Sequence, residues 1–314
     1  MQGTVVNIGD TESLIGAGLR PSVTIRAGVC PELARIPYLR ELIKLKLRAL
    51  VHRRSTRRWL NLLNSHPAFS DYVRQYPRIL YKIYRPYMTL NLPMEARLAA
   101  LDAHYRVIFD HGLSGLVEQA VREPVPLVHF MGRDGTAYDV ALRAIGLFER
   151  EGELVLQLRA DGVPLCGAAF TIAPREGCFA INIGCIQGTA GEGTREAIRS
   201  ATRQLHGLRP KQLLVNLVRH VGRLLGCSEL RLVSNANRVV RSAIRNGSVR
   251  ADYDELWEEM GAQRLRDGDY CLPCAAQAAP DFEAIPSKKR AEARRRHALF
   301  DEVSTALGKR LLAG

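Results

Sequence analysis

Residues 180–273 constrain the fold most. They read as strand, glycine-marked loop, proline-started helix, strand, helix closed by Gly261, and strand, in that order. At the centre, Gln204-Leu-His-Gly207-Leu-Arg209-Pro210-Lys211 leads into an apolar-periodic run through Leu213, Leu214, Leu217, Val218, Val221 and Leu225. Proline suits a first helical turn, where its missing N–H would have no partner. A helix that starts just after a glycine turn aims unpaired amides and the positive end of its dipole at one point, which suits a phosphate or pyrophosphate. Gly226 is the expected C-cap, and Ser228-Glu-Leu-Arg-Leu-Val233 the neighbouring strand. Here the local rules converge on a chemical site.

The rest of the chain divides by texture. Residues 1–30 are rich in Gly and Thr, without sustained periodicity, and read as a flexible leader. Residues 31–124 read as a basic helical unit. Leu39, Leu42, Ile43, Leu47, Leu50 and Val51 recur at helical steps between Arg40, Lys44 and Arg48. Ser55 and Pro67 are expected to open the second and third helices, Met94 begins a fourth, and residues 113–122 form a fifth. Residues 125–275 read as an α/β domain with strand pieces at 127–130 and 138–144. A hairpin follows, Leu154–Arg159 against Pro164–Ile172, turned by Asp161-Gly162, two residues that tolerate positive φ. Cys178–Ile186 is another strand and 195–205 a helix capped by Thr194. Residues 276–314 hold a basic terminal helix.

The 46% hydrophobic and 25% charged fractions are those of a globular chain. No run approaches the roughly 18 apolar residues that span a bilayer. Asp10 and Glu12 sit where a secretory signal would be basic then apolar, so cytoplasmic residence is expected. Seven cysteines, most inside apolar strands, read as free thiols in a reducing compartment. Cys271-Leu-Pro-Cys274 has no second pair, and no metal is expected. The net charge of +13 is concentrated, with 13 Lys or Arg between Arg35 and Arg85 against Glu41 and Asp71. That density implies an anionic partner. The apolar stripe of 38–51 packs onto the α/β domain with its arginines in water, or it lies on anionic membrane lipid at the inner membrane. Alternatively, the tyrosines among the basic residues of 76–87 stack on tRNA or another nucleic acid.

The order hairpin, strand, helix, strand, helix, strand resembles the core of the GCN5-related N-acetyltransferase (GNAT) fold, giving an α+β protein with a mixed-sheet, acetyltransferase-like domain. Those proteins carry a [Gln/Arg]-x-x-Gly-x-[Gly/Ala] loop for a coenzyme A pyrophosphate. Gln204-Leu-His-Gly207-Leu-Arg209 meets its first two marked positions and departs at the third, where Arg209 replaces a small residue. Residues 189–203 and 239–252 are further departures. Over roughly 35–275 the chain is also similar to the VirK/YbjX family of bacterial proteins. The matching pieces include Tyr84-Arg-Pro-Tyr87, Phe148-Glu-Arg-Glu-Gly-Glu-Leu154, Ile183-Gly-Cys-Ile-Gln-Gly188 and His206-Gly-Leu-Arg-Pro-Lys211. That resemblance implies a link to the bacterial envelope or virulence and carries over no catalytic residue.

The acetyltransferase resemblance implies an acyl donor, acyl-CoA or an acyl-carrier thioester, and a small-molecule or peptide acceptor with an amine or hydroxyl. Transfer needs a base, an acid near the leaving sulfur and a donor to the carbonyl oxygen. Tyr253 stands roughly where such folds place a tyrosine acid, and a packed aromatic is its plain alternative. Glu151 and Glu153, at a strand start, are candidate bases or simply solvated. His206 is a candidate phosphate contact or base. Gln187, Gln204, Gly207, Arg209, Lys211 and Asn235 are the candidate donor-binding residues, Asn235 having turn formation as its equal alternative. A non-catalytic envelope factor that binds an anionic ligand and an aminoacyl-tRNA-dependent transferase are the alternative functions. The chain has no Gly-x-Ser-x-Gly, no Gly-Lys-Ser/Thr loop and no His-Glu-x-x-His, so serine hydrolase, nucleoside triphosphatase and zinc protease readings have no support.

Overall fold

A computed structural model describes residues 22–189, 193–240, 252–276 and 278–313. The first 21 residues of the expected leader and most of the extra segment 239–252 lie outside these ranges. Helices α1 (Arg35–Val51), α2 (Arg53–Leu63), α3 (Ala68–Gln75), α4 (Met94–Asp110) and α5 (Ser114–Arg122) come first. Strands β1 (Val125–Met131), β2 (Ala137–Ala144), β3 (Leu154–Ala160), β4 (Val163–Arg175) and β5 (Cys178–Gly188) follow. Then come α6 (Thr194–Gln204), α7 (Pro210–Leu224), β6 (Cys227–Leu232), α8 (Tyr253–Glu259), β7 (Gln263–Arg264), β8 (Tyr270–Pro273) and α9 (Ser287–Leu312).

The strands form one eight-stranded mixed sheet in the order β1-β2-β3-β4-β5-β6-β8-β7. All neighbours are antiparallel except β5 and β6, which run parallel across the α6–α7 crossover. This is the expected mixed sheet. Its hairpin turns where expected: Asp161 and Gly162 both take positive φ, 48° and 77°, the handedness that matches strand twist. Pro210 occupies the first turn of α7 as expected. The N-cap of α6 is Gly193, not Thr194, with φ 81°, and Thr194 is the first helical residue.

Period-two alternation divides the two faces of the sheet. Leu142, Leu154, Leu156 and Phe170 meet side chains of α4, α5, α7 and α9. The intervening Val155, Ala169 and Cys185 lie under Leu147 and Phe148 of the β2–β3 connection. That connection lies flat on the sheet: a Cβ on Gly184 would stand 2.1 Å from the Glu151 carbonyl oxygen. Only glycine permits this approach.

Helices and sheet share one hydrophobic core, which runs from Trp59 and Phe69 to Leu214 and Trp257. A buried ionic cluster ties them together. The Lys82 ammonium pairs with Glu153 on β3's approach. Tyr87 and Tyr105 donate to the same carboxylate at 2.6 and 2.5 Å, and Glu153 N–H donates to Thr171 Oγ1 at 3.0 Å. Burial by itself would raise the Glu153 carboxyl; the Lys82 charge, the charge of His104 and the hydrogen bonds from Lys82 and Tyr105 together outweigh it, and the net shift is downward. Glu153, expected as a base or as a solvated strand start, is a fully paired core group.

Two expectations for the N-terminal helices are corrected. The described part of the leader is packed, with Val23 and Val29 buried and Asn64 bonded to both N–H and C=O of Val23. The apolar stripe of α1 does not pack on the α/β domain. Leu45 is buried, whereas Leu39, Ile43, Leu47, Leu50 and Val51 are exposed. Tyr81 and Tyr87 are buried too, so these two cannot stack on nucleotides.

Candidate ligand cleft

Strand β5 parts from β6 halfway along its length. Their register ends at Ile183 opposite Leu232, and the last bond is Val233 N–H to Ile183 C=O at 3.1 Å. Against β4 the strand continues to Gly188. Among the described residues, one backbone edge of 184–188 therefore lacks a strand partner.

The cause is the turn after β6. Ser234 N–H donates to Asp269 Oδ1 (2.8 Å) and Asn235 N–H to Asp254 Oδ1 (2.8 Å). Asn235 Oδ1 accepts Tyr253 N–H (3.0 Å), and its amide donates to Asp252 Oδ1 (2.7 Å). Asn235 is thus a joint that draws the chain toward the start of α8, in keeping with its turn-forming alternative. It does not line the cleft.

A cleft of about 1290 Å³ adjoins the parted strands. Gln187 and Gly188 of β5 border it, together with Arg209, Pro210 and Lys211 at the start of α7. One face of α6 contributes Arg195, Arg199 and Arg203. The opposite wall is acidic, with Asp252, Glu255 and Glu259 around α8, and the apolar lining comes from Leu147, Phe148, Ile198 and Leu256. Leu213 N–H to Arg209 C=O (3.0 Å) is the first bond of α7. The amides of Lys211 and Gln212 precede it and have no partner within the helix. Burial pushes the Lys211 ammonium below its ordinary value. Arg209 pairs with Glu259 across the cleft at 2.6 Å, both side chains being open to water. Such a pair is worth about 0–1 kcal/mol and is easily given up to a phosphate.

Of the expected donor-binding residues, Gln187, Arg209 and Lys211 meet in this cleft. Gln204, His206 and Gly207 do not, and the glycine turn is no anion socket. His206 (φ 54°) and Gly207 (φ 78°) close α6. Gly207 N–H donates to Thr202 C=O at 2.8 Å and Leu208 N–H to Leu205 C=O at 3.0 Å, a helix-terminating pattern that consumes its own amides. Side chains of Glu292 and Arg296 on α9 stand 3.5 and 3.6 Å from where a Gly207 Cβ would be. Gln204 instead holds the β1–β2 turn: its Oε1 accepts Asp134 N–H (3.0 Å) and its C=O accepts Arg133 N–H (3.1 Å).

Tyr253 and Glu151 come together behind the cleft, both buried. Ile186 N–H, on the parted edge, donates to Tyr253 Oη at 2.9 Å, and Tyr253 O–H donates to Cys185 Sγ at 3.6 Å. The Cys185 thiol in turn lies within electrostatic reach of the Glu151 carboxyl, one oxygen of which is buried without a hydrogen-bond partner among the described residues. Burial pushes that carboxyl up to about 7, against the opposing pull of Arg238. The Arg238 guanidinium lies over the Tyr253 ring, 3.8 Å from its centroid. Cys185 and Arg238 had no signal in the sequence, since a thiol in an apolar strand reads as a small hydrophobe. Arg195, Arg199 and Arg203 did carry one, the four-residue spacing that puts them on one helical face. Among the described residues, no group of His, Cys, Asp and Glu is placed to hold a metal ion, and no helix is long and apolar enough to cross a membrane.

Comparison with known proteins matches residues 36–309 to a family described as "Protein of unknown function (DUF535)". An uncharacterised Escherichia coli protein, YbjX, is 29% identical over 265 residues, covering 83% of this chain and 80% of that one. An uncharacterised Haemophilus influenzae protein is 24% identical, covering 84% and 87% respectively. Among solved structures, a mutant cAMP-binding acyltransferase from Mycobacterium smegmatis aligns with 67% of this chain and 63% of its own length, at 13% identity and a TM-score of 0.28.

Proposed function

The chain belongs to the DUF535 (VirK/YbjX) family, and on that footing we propose that its cleft binds an acyl-CoA or acyl-carrier thioester and passes the acyl group to an amine or hydroxyl acceptor. The observation that carries this reading is the parting of β5 from β6 beside the first turn of α7. A thioester donor has phosphates, an amide-bearing arm and an apolar acyl chain. The edge of 184–188, free of a neighbouring strand among the described residues but with Ile186 N–H held by Tyr253, suits the arm through its remaining backbone groups. The Lys211 and Gln212 amides, with Arg209 and Lys211, suit the phosphates, and Leu147, Phe148, Ile198 and Leu256 suit the acyl chain.

The thioester supplies an activated acyl group. The chain supplies charge and protons. Tyr253 O–H protonates the leaving sulfur as the C–S bond breaks and the new C–N or C–O bond forms. Cys185 S–H then reprotonates Tyr253, and a protonated Glu151 restores the thiol. The acceptor's proton leaves to solvent or to the resulting carboxylate.

One observation favours a ligand-holding role without transfer: Tyr253 is 0% exposed and its hydroxyl is engaged at both ends. Thermal-shift titration with CoA, acetyl-CoA and longer acyl-CoAs, paired with release of free thiol, separates the two. Stabilisation with thiol release supports transfer; stabilisation without it supports holding alone. No shift with any of them at millimolar concentration would remove the thioester reading.

A further inference from the structure

Helix α1 is apolar on two opposite sides. Leu45 is buried against Val29 and Tyr81, with Tyr38 and Leu42 beside it. Ile36, Leu39, Ile43, Leu47 and Leu50 stand on the other side, 49–82% exposed. At about 100° per residue these five fall within a stripe about 80° wide, roughly opposite Leu45. Arg40 and Lys46 flank the stripe about 60° to either side, with Arg35 and Lys44 next beyond them. The helix is anchored by one face and offers the other. A contiguous apolar strip of this kind marks an interaction site, since each Leu or Ile left in water forgoes the gain of burial.

Charge selects the occupant. From Arg35 to Arg58 nine Lys or Arg face a single acid, Glu41, and that acid is held by Lys44 at 2.9 Å. A second copy of α1 would bring like charges together along both flanks. An anionic bilayer offers an apolar layer beneath a layer of negative headgroups, in the order this helix presents. We propose that α1 docks the protein on anionic membrane surface, with Ile36, Leu39, Ile43, Leu47 and Leu50 entering the headgroup–acyl boundary and Arg40 and Lys46 pairing with lipid phosphates. This surface is independent of the cleft and stands whether or not the cleft binds a thioester.

The test is flotation of the full-length chain with phosphatidylcholine vesicles, with and without phosphatidylglycerol. Two variants accompany it, Ile43→Ser/Leu47→Ser and Arg40→Glu/Lys46→Glu. All four side chains are exposed, so the fold is retained, as circular dichroism would verify. The wild type should float with phosphatidylglycerol vesicles only and be released by salt. Each variant should lose binding by at least about tenfold. The proposal is overturned if the full chain fails to float at low salt, or if both variants float undiminished. It is equally overturned if Ile43→Ser/Leu47→Ser instead dissolves a dimer seen by light scattering, or if the wild type binds tRNA and not vesicles.

Discussion

In the proposed transfer Tyr253 and Glu151 carry the proton, and each makes a separate prediction. Tyr253→Phe removes the acceptor of the buried Ile186 N–H. It should cost about 1–3 kcal/mol in a urea titration, and abolish thiol release while acyl-CoA binding persists. Glu151 titrates higher in the folded chain, about 7, than its ordinary 4.5. The folded state therefore binds the proton more tightly than the unfolded chain. This contribution to stability is complete below about pH 4.5, fades as pH rises to about 7 and is absent above that. Glu151→Gln should remove that slope and raise stability at pH 8, by up to about 3 kcal/mol; an unchanged melting profile from pH 4 to 8 would contradict the assignment. Neither residue's partner was legible in the sequence. Glu151, Cys185 and Tyr253 are far apart in the chain: the connection lying on the sheet at Gly184 brings Glu151 to Cys185, and the bend at Asn235 brings Tyr253.

At the level of elements, local chemistry was legible wherever backbone geometry decides the outcome. Asp161-Gly162 could only turn a hairpin, and Pro210 could only begin a helix. Side-chain periodicity was a weaker guide. It shows which residues of α1 share a face but not which face is covered, so an outward stripe was expected to be packed. The Gly207 turn misled for a related reason: a glycine before a proline-started helix suggests free amides, yet Gly207 and Leu208 spend theirs closing α6. The phosphate contacts proposed above belong to the following turn, at Lys211 and Gln212. Glycine matters more at Gly184, which the sequence did not mark. Gly184→Ala would press a methyl group on the Glu151 carbonyl and should cost at least about 3 kcal/mol. A near-wild-type denaturation midpoint would show that the 145–152 connection does not lie flat on the sheet.

Across the whole molecule, the basic helices and the sheet are joined by the Lys82–Glu153 cluster and by one continuous core. Lys82→Met would leave a buried carboxylate without its cation, at about 3–5 kcal/mol. Lys82→Met/Glu153→Gln should recover much of that, and both are read from the same denaturation curves. If Lys82→Met alone were neutral, the cluster would not hold the two parts together. The resulting body presents a cationic, strand-parted cleft on the α/β part and an outward apolar stripe on α1. The family resemblance was legible in short pieces such as Ile183-Gly-Cys-Ile-Gln-Gly188, which form the parted strand itself. The most direct test of the cleft is calorimetric titration of the full chain with acetyl-CoA, beside Arg209→Ala and Lys211→Met. Saturable binding below millimolar, weakened at least about tenfold in both variants, is the predicted result; no heat at millimolar ligand, or equal binding by all three proteins, would contradict it.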